Sequence, residues 1–292
     1  YIPFDAPGNA RRFIGLVKPS AAVIMRYDLW PNHIWTLHAA GIPAILVNAT
    51  MRRSPLRNFP PFRGFHRSLY DALWAVLTVT DGDRDLCLGY GVRRAVVETA
   101  GDTRYDQVVS RCEESRRKRF FPEEVLRGRT VMVIGSSWEE DEKLLLPALA
   151  EYCAKYPELL VVLVPHEPTV EHLGALESRM NGGLSSIRFS RLVSYAGERV
   201  VVVDSVGILV SLYQYARIVY LGGGFGAGIH NVLEPAVYGV PVMIGPNHGN
   251  SHEAKELIKR DGVIAVDGAE SIVVNLGRLL EDAALRERIG RT

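Results

Sequence analysis

A glycine-rich stretch late in the sequence carries the residues best suited to chemistry on a phosphorylated ligand. A β-branched and aromatic run, Ile218 to Leu221, predicts a buried parallel strand. Five glycines follow within seven residues, at positions 222, 223, 224, 226 and 228. Glycine allows the backbone to bend sharply or to approach a ligand closely. The same glycines could simply form a tight turn between a strand and a helix. Their spacing matches neither a dinucleotide fingerprint after a first strand nor a P-loop.

The residues after these glycines extend the same signal. We expect a helix to start near His230 or Asn231 and to carry Leu233 inward, with the strand Val240 to Ile244 following it. Free N–H groups and the positive dipole end at such a helix start suit a phosphate. Glu234, one turn into the helix, can accept hydrogen bonds from a ribose diol. A nucleotide-sugar enzyme fits this pattern better than a dehydrogenase.

Four other predicted strands of the second half end in small, amide-bearing or polar residues. These ends are Gly135-Ser136-Ser137, Pro165-His166, Asp204-Ser205-Val206-Gly207, and Gly245 to Asn250. Ligands of open α/β sheets bind beyond the carboxyl ends of the strands. We therefore expect these four ends and the glycine loop to meet in one crevice.

The elements that position these residues alternate between strand and helix. In the first hundred residues we predict strands at 21–25, 44–47, 75–79 and 95–97, with helices at 31–40 and 83–88 between them. A polar helical segment at 107–128 follows. The second half then carries predicted strands at 130–134, 159–164, 200–203, 218–221, 240–244 and 263–266. This alternation predicts two doubly wound parallel sheets.

Composition restricts the class of protein. A hydrophobic content of 47% with 23% charged residues is ordinary for a soluble globular chain, and 292 residues favour two domains. The net charge of +1 gives no overall case for nucleic acid. Three widely spaced cysteines, Cys87, Cys112 and Cys153, favour a reducing compartment. His248 and His252 have the spacing of a metal pair but no evident third ligand, so we expect no metal.

Five motifs along the chain form a recognisable set. They are Gly-Ile-His-Asn-Val-Leu-Glu-Pro-Ala, Gly-Ser-Ser-Trp-Glu-Glu-Asp-Glu, Asp-Ser-Val-Gly, Gly-Asp-Thr-Arg-Tyr-Asp and Arg-Tyr-Asp-Leu-Trp-Pro-Asn. Together they resemble the motifs of the Kdo transferases, the 3-deoxy-D-manno-octulosonic acid transferases of lipid A biosynthesis. They occur in the family's order over essentially the whole chain, and their variants are nearest the Bacteroidetes type. The resemblance implies the GT-B fold, in which two Rossmann-like domains face each other across a cleft.

The resemblance also implies a domain organisation. Residues 1–106 would be the C-terminal part of an incomplete N-terminal acceptor-binding domain, residues 107–128 the crossing helix, and residues 129–292 the domain that binds the CMP-sugar. The sequence starts without an initiator Met or a first strand. We therefore expect the chain to lack its natural beginning.

The implied activity is an inverting, metal-independent transfer of Kdo from CMP-Kdo to a lipid A precursor such as lipid IVA. No cofactor is expected. The residues implied to bind the donor are Ser136, Ser137, Pro165, His166, Ser205, Val206, Gly207, Ile208, Gly228, His230, Asn231, Val232, Leu233, Glu234, Asn250 and Glu253. His166 and His230 could instead be loop residues satisfied by neighbouring backbone. Ile208 stands where many family members have Glu, so backbone amides would serve there.

In the first half, the resemblance implies that Asp28 and Arg104 stabilise the transition state. Asp28 could equally cap the helix that starts at Pro31. Arg26 departs from the family's Glu at its position. The family's general base, a Glu, precedes the part of the domain seen here, so we expect this chain to lack it.

A segment rich in arginine and phenylalanine suggests a membrane or lipid contact. Residues 51–67 contain five arginines, three phenylalanines and no acidic residue. Arg52, Arg53, Arg57 and Arg63 could contact lipid A phosphates or anionic lipids. The same pattern also fits a solvated loop and helix. We expect a peripheral protein at the cytoplasmic face of the bacterial inner membrane, without a nucleic-acid partner.

Two alternatives remain open at this point. The chain could be another GT-B nucleotide-sugar enzyme, such as a UDP-sugar transferase or epimerase, and nucleotide preference would separate the two. It could also be a nucleotide-binding scaffold that has lost catalysis, which the departures at Arg26 and Asp28 would allow.

Overall fold

The chain folds into two compact units, each with its own parallel sheet. The structure, a computed structural model, describes residues 1–51 and 60–292. The first unit is Tyr1–Asp106 and the second is Gln107–Thr292.

The first unit contains a four-stranded sheet whose order follows the chain. Its strands are β1 (Ala22–Met25), β2 (Ala44–Ala49), β3 (Ala75–Thr78) and β4 (Val96–Thr99), and all neighbours are parallel. Its helices are α1 (Pro7–Val17), α2 (Pro31–Ala39), α3 (Pro60–Tyr70) and α4 (Asp81–Gly89). The predicted alternation of strand and helix is confirmed, and α1 is an addition that the sequence analysis did not include.

Local sequence accounts for where these helices begin. Pro31 lies at the start of α2, where its missing N–H costs nothing and its fixed φ suits the helix. Thr80 caps α4 by accepting a hydrogen bond from Asp83 N, and the Asp83 side chain accepts one from Thr80 N in return. The core of this unit lies around Ile34, Leu46 and Val76, which are fully buried.

The second unit contains a seven-stranded parallel sheet. Its strands are β5 (Thr130–Ser137), β6 (Leu159–Pro165), β7 (Ser186–Arg188), β8 (Val200–Val202), β9 (Ile218–Leu221), β10 (Val242–Ile244) and β11 (Val263–Ala265). The order across the sheet is β11-β10-β9-β5-β6-β8-β7. Strands β6, β7 and β8, which follow β5 in the sequence, lie on one side of it. The later strands β9, β10 and β11 lie on the other side. The direction of winding therefore reverses between β5 and β9.

Helices of very different length connect these strands. The longer ones are α5 (Thr103–Arg116), which begins in the first unit, α7 (Glu139–Lys155), α8 (Val170–Met180), α11 (His252–Lys259), α12 (Ala269–Glu281) and α13 (Ala283–Arg291). Three single-turn helices are α6 (Glu123–Leu126), α9 (Leu209–Leu212) and α10 (Leu233–Ala236). Two 3₁₀ segments lie at Phe189–Ser194 and Tyr213–Tyr215.

The second sheet is buried on both faces, as parallel strands require. Along β5, Met132 and Ile134 pack into one hydrophobic cluster with α7, α8 and α12. Val131 and Val133, which alternate with them, pack into a second cluster on the opposite face. Continuous apolar runs in the sequence therefore correspond to central strands with helices on both sides.

One predicted helix is shorter than expected. The helix predicted near His230 or Asn231 is only the single turn α10; α9 is also a single turn, followed by a 3₁₀ segment. Pro235 is tolerated only in the first turn of a helix, and Gly239, at φ +68°, ends the segment in a left-handed conformation. One turn has little macrodipole, so α10 supplies little of the dipole that was predicted to attract a phosphate there.

Candidate functional site

The reversal of winding between β5 and β9 defines the candidate site in the second unit. In open α/β sheets the loops at such a point diverge and leave a crevice beyond the carboxyl ends of the strands. Here the two segments are Ser136–Trp138, which is the end of β5 and the residue after it, and Gly222–Val232 after β9. The glycine stretch singled out from the sequence thus lies at the switch point of the sheet.

Close backbone packing explains two of the glycines. A Cβ on Gly222 would lie 2.3 Å from the Ser136 carbonyl oxygen, and one on Gly224 would lie 2.5 Å from the Gly245 backbone. Neither position can accept a side chain unless a neighbouring loop moves. The loops after β5, β9 and β10 therefore meet backbone to backbone, which makes this side of the crevice rigid.

Asparagine side chains join the loops after β9 and β10. Asn247 N donates to Gly224 O at 2.8 Å, and its side-chain Nδ2 donates to Gly226 O at 2.9 Å. Asn250 Nδ2 donates to Ile229 O at 3.1 Å. Asn250 was predicted to contact the donor, whereas Asn247 was not singled out. Its place inside Gly-Pro-Asn-His-Gly-Asn was the only sequence signal for this role.

A stack of three rings brings the loops after β5, β6 and β9 together. The Trp138 and His166 rings lie 4.4 Å apart with 23° between their planes, and His166 and His230 lie 4.4 Å apart with 25° between theirs. The pKa of His230 is lowered, first by burial and then by the nearby His166, although Asp141 acts in the opposite direction. His230 is therefore a neutral, stacked ring. The predicted residues His166 and His230 are adjacent in space.

Asn231 and Glu234 form a linked pair beside this stack. Asn231 Oδ1 accepts a hydrogen bond from Leu233 N at 3.2 Å, and its Nδ2 lies 3.3 Å from Glu234 Oε1. Burial raises the pKa of Glu234, while Asn231 and Arg111 act to lower it. Asn231 is exposed and Glu234 half-buried, whereas the Val232 and Leu233 side chains are buried. Only the first two offer side-chain polar atoms to a ligand.

The loop after β8 is held by Asp204, its second residue. Asp204 accepts hydrogen bonds from Ser190 N at 3.0 Å and from Ser190 Oγ at 2.5 Å. Gly207 has φ +80°, in the left-handed region that favours glycine. Val206 is exposed, while Ser205 and Ile208 are half-buried. Val206 and Ile208 have apolar side chains, so only their backbone N–H and C=O groups can form hydrogen bonds with a ligand.

The remaining predicted donor residues fall into two groups. Ser136 and Glu253 are half-buried, and Glu253 Oε2 accepts a hydrogen bond from Ser251 Oγ at 2.9 Å. Ser137 is fully buried and donates its hydroxyl to Glu142 Oε1 at 2.9 Å, while its carbonyl accepts from His166 N. Pro165 is also buried. Gly228, at φ +110°, packs against the Asn250 side chain.

In the first unit, Arg104 is paired with a buried carboxylate. Its Nε donates to Asp102 Oδ2 at 2.7 Å and its Nη2 contacts the same oxygen. Burial by itself would raise the pKa of Asp102, but the hydrogen bonds and charge of Arg104, with the charge of Arg26, lower it overall. Asn48 also holds this segment, by donating to Thr103 Oγ1 and accepting from Thr103 N. Asp28 is exposed in the loop after β1.

The predicted lipid-contacting arginines are only partly within the described residues. Arg63 is exposed on α3, beside the exposed rings of Phe62 and Phe65. Arg52, Arg53 and Arg57 lie outside the described residues. Within residues 1–51 and 60–292, no group of three His, Cys, Asp or Glu residues is arranged to hold a metal ion.

Comparison with solved structures assigns the class of the fold. A UDP-GlcNAc 2-epimerase from Neisseria meningitidis is 17% identical, with a TM-score of 0.62 over 97% of this chain and 74% of that chain. A further UDP-N-acetylglucosamine 2-epimerase gives a TM-score of 0.63 at 14% identity, over 98% of this chain and 71% of that one. At such identities the likeness shows the fold alone. The chain has the GT-B fold of two Rossmann-like domains, as predicted.

Sequence comparison points to one family within that class. Residues 1–107 match the family described as 3-deoxy-D-manno-octulosonic-acid transferase (kdotransferase). The 3-deoxy-D-manno-octulosonic acid transferase of Haemophilus influenzae is 27% identical over 99% of this chain and 68% of its own length. The enzyme of that name from Aquifex aeolicus is 27% identical over 96% of this chain and 71% of its own. The predicted resemblance to the Kdo transferases is confirmed.

A solved structure extends the likeness to the second unit. The C-terminal CMP-Kdo binding domain of WaaA from Acinetobacter baumannii is 26% identical, with a TM-score of 0.52. The match covers 63% of this chain and 95% of that domain. Family likeness thus reaches both the first unit, through the matched residues 1–107, and the unit that contains the crevice.

Proposed function

We propose that this protein transfers Kdo from CMP-Kdo to a hydroxyl of a lipid A precursor, with inversion and without a metal. The observation that carries the proposal is the likeness of the second unit to a CMP-Kdo binding domain, at 26% identity over 95% of that domain. The crevice at the switch point of the sheet is where such a nucleotide would bind. Kdo transferases among the relatives that span nearly the whole chain support the same reaction.

The contacts around the crevice suggest how CMP would lie. The half-buried Glu234, held by Asn231, is placed to accept hydrogen bonds from the ribose hydroxyls. Because α9 and α10 are single turns, we assign the phosphate to the close-packed glycine loop rather than to a helix dipole. The stacked rings of Trp138, His166 and His230 form a flat wall beside it.

Transfer also requires stabilisation of the charge that develops on departing CMP. We assign this role to Arg104, whose guanidinium is held by Asp102. A cation already fixed in place stabilises a transition state more effectively than one that must reorganise. A base must also take the acceptor proton. Asp28, an exposed carboxylate after β1, is assigned to the same reaction as a stabilising group.

We place the acceptor side of the reaction at an anionic membrane surface. Phe62 and Phe65 on α3 are 52% and 42% exposed, and Arg63 lies between them. Exposed aromatic rings beside arginines match what an interfacial helix uses to contact a bilayer. Within residues 1–51 and 60–292, none of the helices combines the length and apolar character needed to cross a membrane.

The direct test is the transfer reaction itself. The protein, in a form that includes the family's general base, is incubated with CMP-Kdo and lipid IVA, and the lipid product is analysed by mass spectrometry. We expect a mass increase of one or more Kdo units, and no increase when the donor is replaced by a UDP-sugar. An intact, CMP-binding protein that yields no product would contradict the enzymatic proposal and favour a nucleotide-binding scaffold.

Nucleotide preference tests the donor assignment separately. We expect CMP to raise the melting temperature and UDP at the same concentration to leave it unchanged, because binding to the folded state alone stabilises it. Stabilisation by UDP and not by CMP would support the alternative, a UDP-sugar enzyme of the same fold.

A further inference from the structure

Two adjacent acids at the start of α7 are fully buried. The first turn of α7 carries Glu139, Glu140, Asp141 and Glu142. Glu139 and Glu140 are exposed, whereas Asp141 and Glu142 are 0% exposed. Burying a carboxylate is costly unless hydrogen bonds or charges compensate for the lost water. The contacts of these two acids therefore indicate what they are for.

Asp141 joins the residue after β5 to strand β9 and to the glycine loop that follows it. Its Oδ2 accepts hydrogen bonds from Gly223 N at 2.7 Å and from Trp138 N at 3.0 Å. Its Oδ1 accepts one from Tyr220 Oη at 2.8 Å. A single side chain thus fixes the second glycine of the loop and the tryptophan that ends the ring stack.

Glu142 fixes the strand end beside it. Its Oε1 accepts the Ser137 hydroxyl at 2.9 Å, and both its oxygens lie 3.0 Å from His172 Nε2. His172 Nδ1 lies 3.1 Å from the Glu167 carbonyl. His172 therefore links the buried Glu142 to the backbone of the segment after β6. Arg179 Nη1 lies 3.5 Å from Glu142 Oε2 and is a further contact of this carboxyl group.

We propose that Asp141 and Glu142 are positioning residues for the nucleotide crevice. Asp141 holds the glycine loop and Trp138, and Glu142 holds Ser137, whose carbonyl in turn accepts from His166 N. Neither acid is offered as a ligand contact, because neither has exposed surface. The identity of the nucleotide rests on the proposed function, whereas the positioning of the loop does not.

The first experiment compares Asp141→Ala with Tyr220→Phe. Both variants remove the buried hydrogen bond between Tyr220 Oη and Asp141 Oδ1, so both should lower the melting temperature. Only Asp141→Ala releases Gly223 and Trp138. We expect the dissociation constant for CMP, measured by calorimetry on folded protein, to rise about tenfold or more in Asp141→Ala and to stay within about threefold in Tyr220→Phe.

A conservative variant separates hydrogen bonding from charge. In Asp141→Asn, the amide oxygen can accept from Gly223 N and Trp138 N, and the amide NH₂ can donate to a rotated Tyr220 hydroxyl. We therefore expect Asp141→Asn to bind CMP nearly as the natural protein does. Glu139→Ala is the charge control, because it removes an exposed acid from the same helical turn. If Glu139→Ala weakened CMP binding as much as Asp141→Ala, the effect would be electrostatic and the proposal wrong.

Hydrogen exchange of the ligand-free protein tests positioning without any assumption about the ligand. We expect Asp141→Ala to accelerate amide exchange at residues 222–228, and Glu142→Ala to accelerate it at residues 136–138, while α12 stays as protected as before. Asp141→Ser replaces the alanine variant if that does not fold. Unchanged exchange in both loops would overturn the proposal. If the natural protein failed to bind CMP, the proposed function would fall, and exchange alone would decide this inference.

Discussion

Burial is the main cause of the shifted pKa values of individual residues in the crevice. Glu234 is the clearest case, since burial raises the pKa of its carboxyl above the ordinary value of 4.5. The folded state then binds a proton more readily than the unfolded chain does. The free energy of unfolding therefore receives a contribution that is present at low pH and is lost as the pH rises from about 4.5 to the raised value.

This raised pKa predicts a pH dependence of nucleotide binding. A carboxylate accepts hydrogen bonds from both ribose hydroxyls, whereas a protonated carboxyl does so poorly. As the pH falls from 8 to 5, we expect CMP affinity to decrease. The decrease should begin at a higher pH than it would for a glutamate with the ordinary pKa. The measurement is calorimetric titration with CMP at several pH values.

Glu234→Gln supplies the control, because the CMP phosphate titrates equally with either protein. We expect Glu234→Gln to bind CMP about tenfold more weakly at pH 8, with a flatter pH profile, since its amide does not titrate. It should also melt at a higher temperature at that pH, because the buried charge is gone. Parallel pH profiles for the two proteins would remove Glu234 from the binding site.

The pair formed by Arg104 and Asp102 predicts an effect on stability. Asp102 is buried with its pKa lowered, so Arg104→Ala would leave an uncompensated buried carboxylate. Because Arg104 is itself partly exposed, we expect a loss of about 1–3 kcal/mol, less than for a fully buried pair. Urea denaturation at pH 7 measures this loss.

A double-mutant cycle isolates the interaction between the two side chains. Adding Asp102→Asn to Arg104→Ala should recover part of the lost stability, because the unpaired charge is removed. The stability that Asp102 contributes through its lowered pKa is present above the ordinary value of 3.8 and is lost as the pH falls through the lower folded-state pKa. Strictly additive effects of the two substitutions would show that the pair is not coupled.

At the scale of elements, the sequence predicted long and strongly patterned segments well. β5, β6 and β9 are apolar runs whose burial on both faces follows from their composition. The three-residue strand β7 has no fully buried residue, so nothing in its pattern marks it as a strand. The single-turn helix α10 was predicted too long, because apolar spacing does not show where Pro235 and Gly239 limit a helix.

The same limit explains which site residues were missed. Asp141 and Glu142 belong to an acidic first turn, which ordinarily indicates a solvated helix start. Their burial depends on partners far along the chain, since Tyr220 and Gly223 lie 79 and 82 residues from Asp141. Glycines and strand ends mark a crevice locally, whereas the residues that hold it in shape are identified only by long-range contacts.

The segment that includes α3 predicts membrane binding. We expect the triple variant Arg52→Glu, Arg53→Glu, Arg57→Glu to reduce binding to vesicles of anionic lipid by about tenfold or more, because each arginine near an anionic surface contributes about 1 kcal/mol. CMP binding should stay unchanged, since the crevice lies in the second unit. Co-sedimentation with vesicles measures the lipid binding, and added salt should weaken it.

A matched variant controls for total charge. Arg127, Arg260 and Arg291 are exposed in the second unit, and their replacement by Glu changes the net charge by the same amount. We expect this control to bind vesicles much more strongly than the first triple variant. Equal losses in both would indicate a general charge effect, and no loss in the first would argue against membrane contact by this segment.

At the scale of the whole molecule, each hydrophobic core cluster found among residues 1–51 and 60–292 lies within one unit. One cluster lies within residues 13–97, and the other two lie within residues 120–289. The C-terminal half of α5 is anchored to the second unit, since Ser211 Oγ donates to Ser115 Oγ at 2.9 Å and Gln214 Nε2 to Ser115 O at 3.1 Å. Each unit therefore has the buried interior that independent folding requires.

This separation predicts that residues 107–292 fold alone and retain the nucleotide site. Fragment 107–292 should unfold cooperatively in urea and bind CMP with a dissociation constant within about threefold of that of the whole chain, because its core and crevice are complete. The same fragment carrying Glu234→Gln is the control and should bind about tenfold more weakly. Neither form of the fragment should yield Kdo product, because Arg104 and Asp28 belong to the first unit. A folded fragment that cannot bind CMP, beside a whole chain that can, would show that the first unit supplies part of the nucleotide site.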